Sequence, residues 1–159
     1  MVKTFAFTLK SDNILNMLVT DTLIDSSNRD MSKTIDNNKK WNGLWDTGAS
    51  LSSIDQRVVD ELGLIPVGKQ KISTANGIIL VNTYMIDIAL PNHVIVQNVL
   101  VSCSNLGEDT DILIGMDIIR HGDFSITHTD NSTTFSFRIP SVKEIDYVQE
   151  SDNIQSNDG

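Results

Sequence analysis

Among the titratable side chains of this 159-residue sequence, one aspartate stands where its carboxylate is available for chemistry. Asp46 closes an apolar-rich run, Trp41 to Trp45, and is followed by Thr47-Gly48-Ala49-Ser50. A glycine two residues on permits a tight turn, and a turn at a strand end presents a carboxylate instead of burying it. Such a group can move protons as a general acid or base, or act as a nucleophile that accepts a phosphoryl group. The second chemistry needs further motif aspartates and a lysine at set places, and none follows Asp46. Asp-Thr-Gly is by itself a common turn, so its context must decide. About 65 residues downstream comes Ile112-Leu113-Ile114-Gly115, an apolar strand ending in glycine ahead of a short helical stretch, Met116 to Arg120.

The other candidates read as structural. His93, His121 and His128 are isolated and lack zinc-like spacing, so no metal and no cofactor is expected. Cys103 is the one cysteine and forms no internal disulfide, which fits a reducing, cytoplasmic setting; at a strand end it reads as a small apolar filler. Glu108, Asp109, Asp111 and Asp117 read as a solvated acidic face, with Asp117 capping the short helix. Asp55, Asp60 and Glu61 read as the exposed face of a helix. The net charge of −9 is uneven: residues 41–142 hold five basic against eleven acidic side chains, and residues 143–159 hold one against five. An acidic body with an acidic tail argues against binding a nucleic-acid backbone, which takes clustered Lys and Arg. No apolar run approaches the roughly 20 residues of a membrane span. The alternation of Met1 to Leu9 has no secretory apolar core.

The elements that must position Asp46 are mostly short strands. Phe5, Phe7 and Leu9 alternate with polar neighbours, and Ile14 to Val19 is a second strand. Asp21 to Lys40 is polar with few apolar residues and reads as a surface insertion loop. Ser53 to Leu62 is the clearest helix, with Ile54, Val58, Val59 and Leu62 at helical spacing, Ser53 and Gln56 at capping-box spacing, and Gly63 as the stop. Lys69 to Thr74 and Ile78 to Leu90 form a β-hairpin about Asn76-Gly77. Val94 to Val101 follows as a strand. Phe124 to His128 and Thr133 to Ile139 form a last hairpin about Asp130-Asn131. Phe5, Phe7, Phe135 and Phe137 are read as core, and Trp45 as packing beside Asp46. Residues 1–140 thus form one all-β, barrel-like domain with one or two short helices, and residues 141–159 an acidic flexible tail.

Leu44-Trp45-Asp46-Thr47-Gly48-Ala49-Ser50 and Ile112-Leu113-Ile114-Gly115, with the Asn76-Gly77 hairpin between them, resemble the catalytic loop, hydrophobic-hydrophobic-glycine segment and flap of retropepsin-like aspartic proteases. The resemblance spans roughly Trp41 to Pro140, and its wording is similar to bacterial, cellular members. It implies a closed retropepsin-like barrel with a β-hairpin flap. It also implies an aspartic endopeptidase in which two carboxylates share one proton, because two like charges ~3 Å apart cannot both ionise. This chain has one such aspartate, whereas a two-lobed pepsin-like enzyme carries two motifs in a chain about twice as long. The implied partners are therefore a second copy, as a symmetric homodimer, and a peptide or protein substrate.

By family position, Asp46 is catalytic, and Thr47, Gly48, Ala49 and Gly115 support its loop. The Thr47 hydroxyl locks the two loops together across the dimer. Ala75, Asn76 and Gly77 form the flap tip, and Ile78, Ile79, Val81 and Ile112 wall the substrate pocket. Many retroviral proteases pair an acidic residue after Asp-Thr-Gly-Ala with an arginine after the downstream glycine; Ser50 and Met116 replace both. Ala49 lacks the hydroxyl that pepsin-like enzymes place after Asp-Thr-Gly, which implies a less acid-adapted pair. The alternative reading is a catalytically silent dimeric module of the same fold that binds extended peptide.

Overall fold

The computed structural model describes residues 3–27, 29–31, 39–74 and 76–157. In chain order the elements are β1 (Phe5–Ser11), β2 (Val19–Ser26), β3 (Trp41–Trp45), β4 (Ser53–Asp55), α1 (Gln56–Leu62), β5 (Gly68–Thr74) and β6 (Gly77–Leu90). A 3-10 turn (Pro91–His93) leads into β7 (Val94–Ser104), β8 (Ile112–Ile114), α2 (Met116–Ile119), β9 (Asp123–Thr127), β10 (Thr133–Ile139) and α3 (Tyr147–Asn157).

Seven strands pair in the order β2-β3-β8-β4-β7-β6-β5, and β2 also pairs with β6. The first six therefore close on themselves as a ring, and β5 hangs outside it as the second arm of the β5–β6 hairpin. Ile54, Ile86, Ile88, Val101, Ile112 and Ile114 are fully buried in the core. A second sheet, β1-β10-β9, brings Phe7, Phe124, Phe135 and Phe137 around Trp45 at centroid distances of 5.8, 5.9, 5.1 and 5.0 Å. Burying an aromatic or large aliphatic side chain contributes about 1.5–3 kcal/mol relative to leaving it exposed. The aromatic cluster thus anchors the strand that ends at Asp46.

Several elements differ from the sequence expectation. The second strand is not Ile14–Val19 but Val19–Ser26, so Asp21–Ser26 is strand and not loop. Its inward residues Thr20 and Thr22 are polar, which hides the alternation; Thr20 is buried beneath Trp45 and its hydroxyl accepts the indole N–H at 3.0 Å. Residues 32–38 of the expected loop lie outside the described residues. Ile14, Leu15 and Met17 are exposed, and Phe5 is half-exposed at an edge of the second sheet. Ser53 does not cap a helix: Ser53–Asp55 is a short strand, and Asp55 is the N-cap of α1, accepting from Arg57 N–H at 3.0 Å. Asp55 is accordingly buried and does not lie on the exposed helix face. Gly63 ends α1 in the left-handed conformation at φ 61°, as its position predicts. Residues Tyr147–Asn157 of the tail form a helix whose side chains are exposed as far as Ile154.

Candidate active site

β3 delivers Asp46 to the end of the ring. Its core face is Trp41, Gly43 and Trp45, so the opposite face carries Asn42, Leu44 and Asp46. Gly43 has no room for a side chain: a Cβ there would lie 2.4 Å from the Thr22 hydroxyl. β3 pairs in parallel with β8 in the register Gly43↔Ile112, Leu44↔Leu113, Trp45↔Ile114. The two sequence segments singled out above are thus adjacent strands, and the Asp46 N–H donates to the Ile114 carbonyl at 2.9 Å.

The loop after Asp46 is held by its own backbone. Gly48 N–H donates to Asp46 Oδ1 at 2.8 Å, which orients the carboxylate, and Ala49 N–H donates to the Asp46 carbonyl at 3.2 Å. The Ala49 carbonyl in turn accepts from Met116 N–H at 2.8 Å, joining the loop to the start of α2. Gly115 lies under the loop with no space for a methyl group: a Cβ would stand 2.9 Å from the Ala49 oxygen and from the Leu51 carbonyl carbon. Asp46 is half-buried and Thr47 exposed beside it. Asp46, Thr47, Gly48, Ala49 and Gly115 are therefore brought together.

Sequence reasoning missed the brace behind this loop. Ser52 is fully buried; its hydroxyl donates to Asp117 Oδ1 at 2.8 Å and accepts from Gly115 N–H at 3.0 Å. Ser52 N–H donates to Asp117 Oδ2 at 3.0 Å. Asp117 is thus not part of a solvated face: it ties the loop to α2. Its place two residues after Gly115, with its partner Ser52 65 residues earlier in the chain, carried no separate signal in the sequence.

The hairpin places Ile72, Ile79, Gln70 and Val81 on one face, and Lys69, Lys71, Ile78 and Leu80 on the other, by the register Ile72↔Ile79 and Gln70↔Val81. Thr74 pairs with Gly77, so the turn residues are 75 and 76 and Gly77, at φ 114°, opens β6. Asn76-Gly77 is therefore not the central pair of the turn. Ala75 lies outside the described residues. Ile79 and Val81 line a cavity of about 850 Å³ beneath the hairpin. Ile78, on the opposite face, is 72 % exposed and does not line it. Ile112 is fully buried and walls no open pocket; the half-buried Leu113, between core residues Ile112 and Ile114, is the side chain of β8 that shares a face with Leu44 and Asp46. Strict alternation within Ile-Leu-Ile was the signal for this.

Charged groups near α1 have defined roles. Burial works against the charge of Asp55, but N–H donation from Leu106 and Arg57 and the Arg57 guanidinium outweigh it and hold this carboxyl below its usual range. Among the described residues, no group of three or more His, Cys, Asp or Glu side chains is arranged to hold a metal ion. No helix of the described residues is long and apolar enough to cross a membrane.

The profile of the family described as "gag-polyprotein putative aspartyl protease" matches residues 32–121, more than half the chain, including both strands and the hairpin. The chain belongs to this family. The fold of the chain is similar to the crystal structure of a retropepsin-like aspartic protease from Rickettsia conorii, with a TM-score of 0.53 and 13% identity over 87% of this chain and 98% of that one. The solution structure of Simian Foamy Virus (mac) protease aligns at a TM-score of 0.45 and 16% identity, over 64% of this chain and 91% of that one. No curated protein sequence matches the chain. The all-β retropepsin fold expected from the motifs is therefore the one observed.

Proposed function

We propose that the protein is an aspartic endopeptidase whose site is completed by a second copy of the chain, with Asp46 of each subunit meeting on a two-fold axis. The observation that carries this reading is the setting of Asp46: a half-buried carboxylate oriented by Gly48 N–H on a loop braced from behind, at a position where each chain supplies one. In the dyad one carboxylate is ionised and takes a proton from water; the other is protonated and donates to the scissile carbonyl. The pair titrates as a unit. The exposed Thr47 hydroxyl supplies the cross-subunit lock, and Asn76 and Gly77 carry the tip of the flap. Substrate lies extended between hairpin and floor, adding a strand through backbone hydrogen bonds. Leu44, Leu113 and Ile79 supply the apolar walls beside the scissile bond.

The test is concentration dependence. Specific activity falls on dilution below the dimer dissociation constant and recovers on concentration. Excess Asp46→Asn protein poisons wild-type activity, because mixed dimers hold one carboxylate. Activity that stays flat on dilution well below the dimer constant measured by sedimentation overturns the two-aspartate mechanism. A wild-type chain that binds extended peptide and hydrolyses none supports the silent module instead.

A further inference from the structure

The last paired residues of β6 and β7 before the hairpin departs are Thr83 and Ser102. Beyond them the two chains separate, and the cavity of about 850 Å³ fills the gap. Ile72, Ile79 and Val81 form its hairpin wall; Ser104, Asn105 and Glu108 belong to the opposite wall. The register places this cavity on the face of Asp46. Leu44, Leu113, Ser53, Ser102 and Thr83 are successive cross-strand partners from β3 to β6, and partners share a face. Asp46 stands two residues from Leu44, Asp55 two from Ser53 and Val81 two from Thr83, all on that same face.

The loop side of the cavity is fixed in advance. The Arg57 guanidinium donates from Nε to Asp55 Oδ1 at 2.9 Å, from Nη1 to the Glu108 carbonyl at 3.0 Å, and from Nη2 to the carbonyls of Gly107 and Thr110 at 2.6 and 3.1 Å. Leu106 N–H donates to Asp55 Oδ2 at 2.9 Å. Arg57 is the only cationic lining residue among the described residues, and its donors are engaged by the protein itself. Against its single charge stand Asp55 and Glu108 in the lining, and Asp111 at 3.6 Å from the guanidinium. Lys69 and Lys71 do not line the cavity, although Asn82, the cross-strand partner of Lys69, does. The Cys103 thiol, also in the lining, is pushed up chiefly by burial and then by the charges of Asp55 and Asp60.

We infer that this cavity is a substrate subsite for a lysine or arginine side chain, set away from the scissile bond on the same extended peptide. The methylene stem of such a residue covers the Ile72, Ile79 and Val81 wall, and its cationic head reaches the Glu108 carboxylate at the loop. Neither a carboxylate nor a purely aliphatic side chain satisfies both walls. The inference rests on the endopeptidase reading for its substrate, and Glu108 is its specificity-determining residue.

The experiment is a matched set of quenched fluorescent peptides in which Lys, Glu and Leu are placed in turn at each position flanking an apolar cleavage pair. For the wild-type chain, one position gives kcat/KM about tenfold higher with Lys than with Glu, the size expected for a partly exposed charge pair made or reversed. Added salt shrinks that ratio. Glu108→Lys, or Glu108→Gln should the reversal unfold, removes the ratio; the backbone carbonyl that Arg57 holds is kept in both. Equal cleavage of Lys and Glu peptides at every position overturns the inference, as does a ratio that both variants retain. If the wild-type chain cleaves no peptide, the endopeptidase reading fails separately. Fluorescence anisotropy with labelled Lys and Glu peptides then decides the subsite: preference for Lys that Glu108→Gln abolishes upholds it, and equal binding rejects it.

Discussion

The floor of the site and the hairpin above it are built on opposite terms. From Asp46 to Ser52 the chain is tied to β8 and α2 by Ile114, Gly115, Met116 and Asp117, and its anchor Ser52 is fully buried. The hairpin, by contrast, exposes Ile78 at 72 %, Ile79 at 48 % and Leu80 at 58 %, and its outer strand β5 pairs with β6 alone. A carboxylate that must meet a substrate atom within a fraction of an ångström needs a frame with one arrangement. A cover that must admit and release a chain needs few tertiary contacts. The same fold supplies both by placing one region inside its hydrogen-bond network and leaving the other at an edge.

The comparison breaks first at Asp46. Asp46→Asn lowers peptide hydrolysis by about a thousandfold or more, within the range of lost acid–base catalysis, while the melting temperature stays near that of wild type; wild-type rates on a denatured protein substrate would remove Asp46 from the chemistry. Gly115→Ala is the next largest change. Its methyl group meets backbone atoms that cannot rotate away, so stability falls by about 1–3 kcal/mol as for other overpacked sites, and hydrolysis falls with it; denaturant unfolding reads the first and peptide turnover the second. Ser52→Ala strips Gly115 N–H of its acceptor and leaves Asp117 without its hydroxyl donor, with a cost of about 1–3 kcal/mol. The hairpin should answer differently. Ile79→Ser changes stability by no more than about 0.5 kcal/mol, the usual range for an exposed site, but raises KM; a large loss of stability would mean the hairpin is as tightly packed as the floor.

The smallest effect concerns acid. Asp123 has its pKa lowered to about 2 from 3.8, chiefly by the Ser141 hydroxyl and then by Arg138. A depressed carboxyl pKa stabilises the fold above 3.8, and that contribution is lost as pH falls from 3.8 toward 2. Asp123 opens β9 in the sheet that supports Trp45, so Asp123→Asn should lower stability at neutral pH, change it little near pH 2, and so flatten the acid limb of the stability–pH curve. An unchanged acid limb would show that this anchor does not support the floor.

What could be read from the residues depended on whether their role was local. Asp46 and Gly48 announce a turn by type and order, and Gly63 and the Asp130-Asn131 turn (φ 53° and 60°) are likewise local signals. The strand β2 escaped because its inward residues are Thr20 and Thr22, whose burial depends on the distant Trp45 indole and on Gly43. Asp55 and Asp117 escaped for a related reason. The partner of Asp117, Ser52, is 65 residues away in the chain; the cap of Asp55 to Arg57 is local, but its other carboxylate oxygen is held by Leu106, 51 residues away. Position in the motif assigns Ile112 to the pocket, whereas alternation within Ile112-Leu113-Ile114 assigns the open face to Leu113.

The fourteen residues of β6 belong to both regions. Its far half, with Ile86 and Ile88 fully buried, is clamped on one side by β2 and on the other by β7; its near half projects with β5 alone. It is a beam fixed at one end. Deflection of such a beam is least at the clamp and grows toward the free end, so thermal displacement should rise steadily from Thr83 to Gly77. The tip sweeps the widest arc; of the hairpin residues that line the cavity, Val81, next to the clamp, moves least, and the Ile72–Ile79 pair moves more. Shortening both arms by one residue pair would therefore stiffen the cover far more than any substitution at its tip, without touching a single contact of the clamped half.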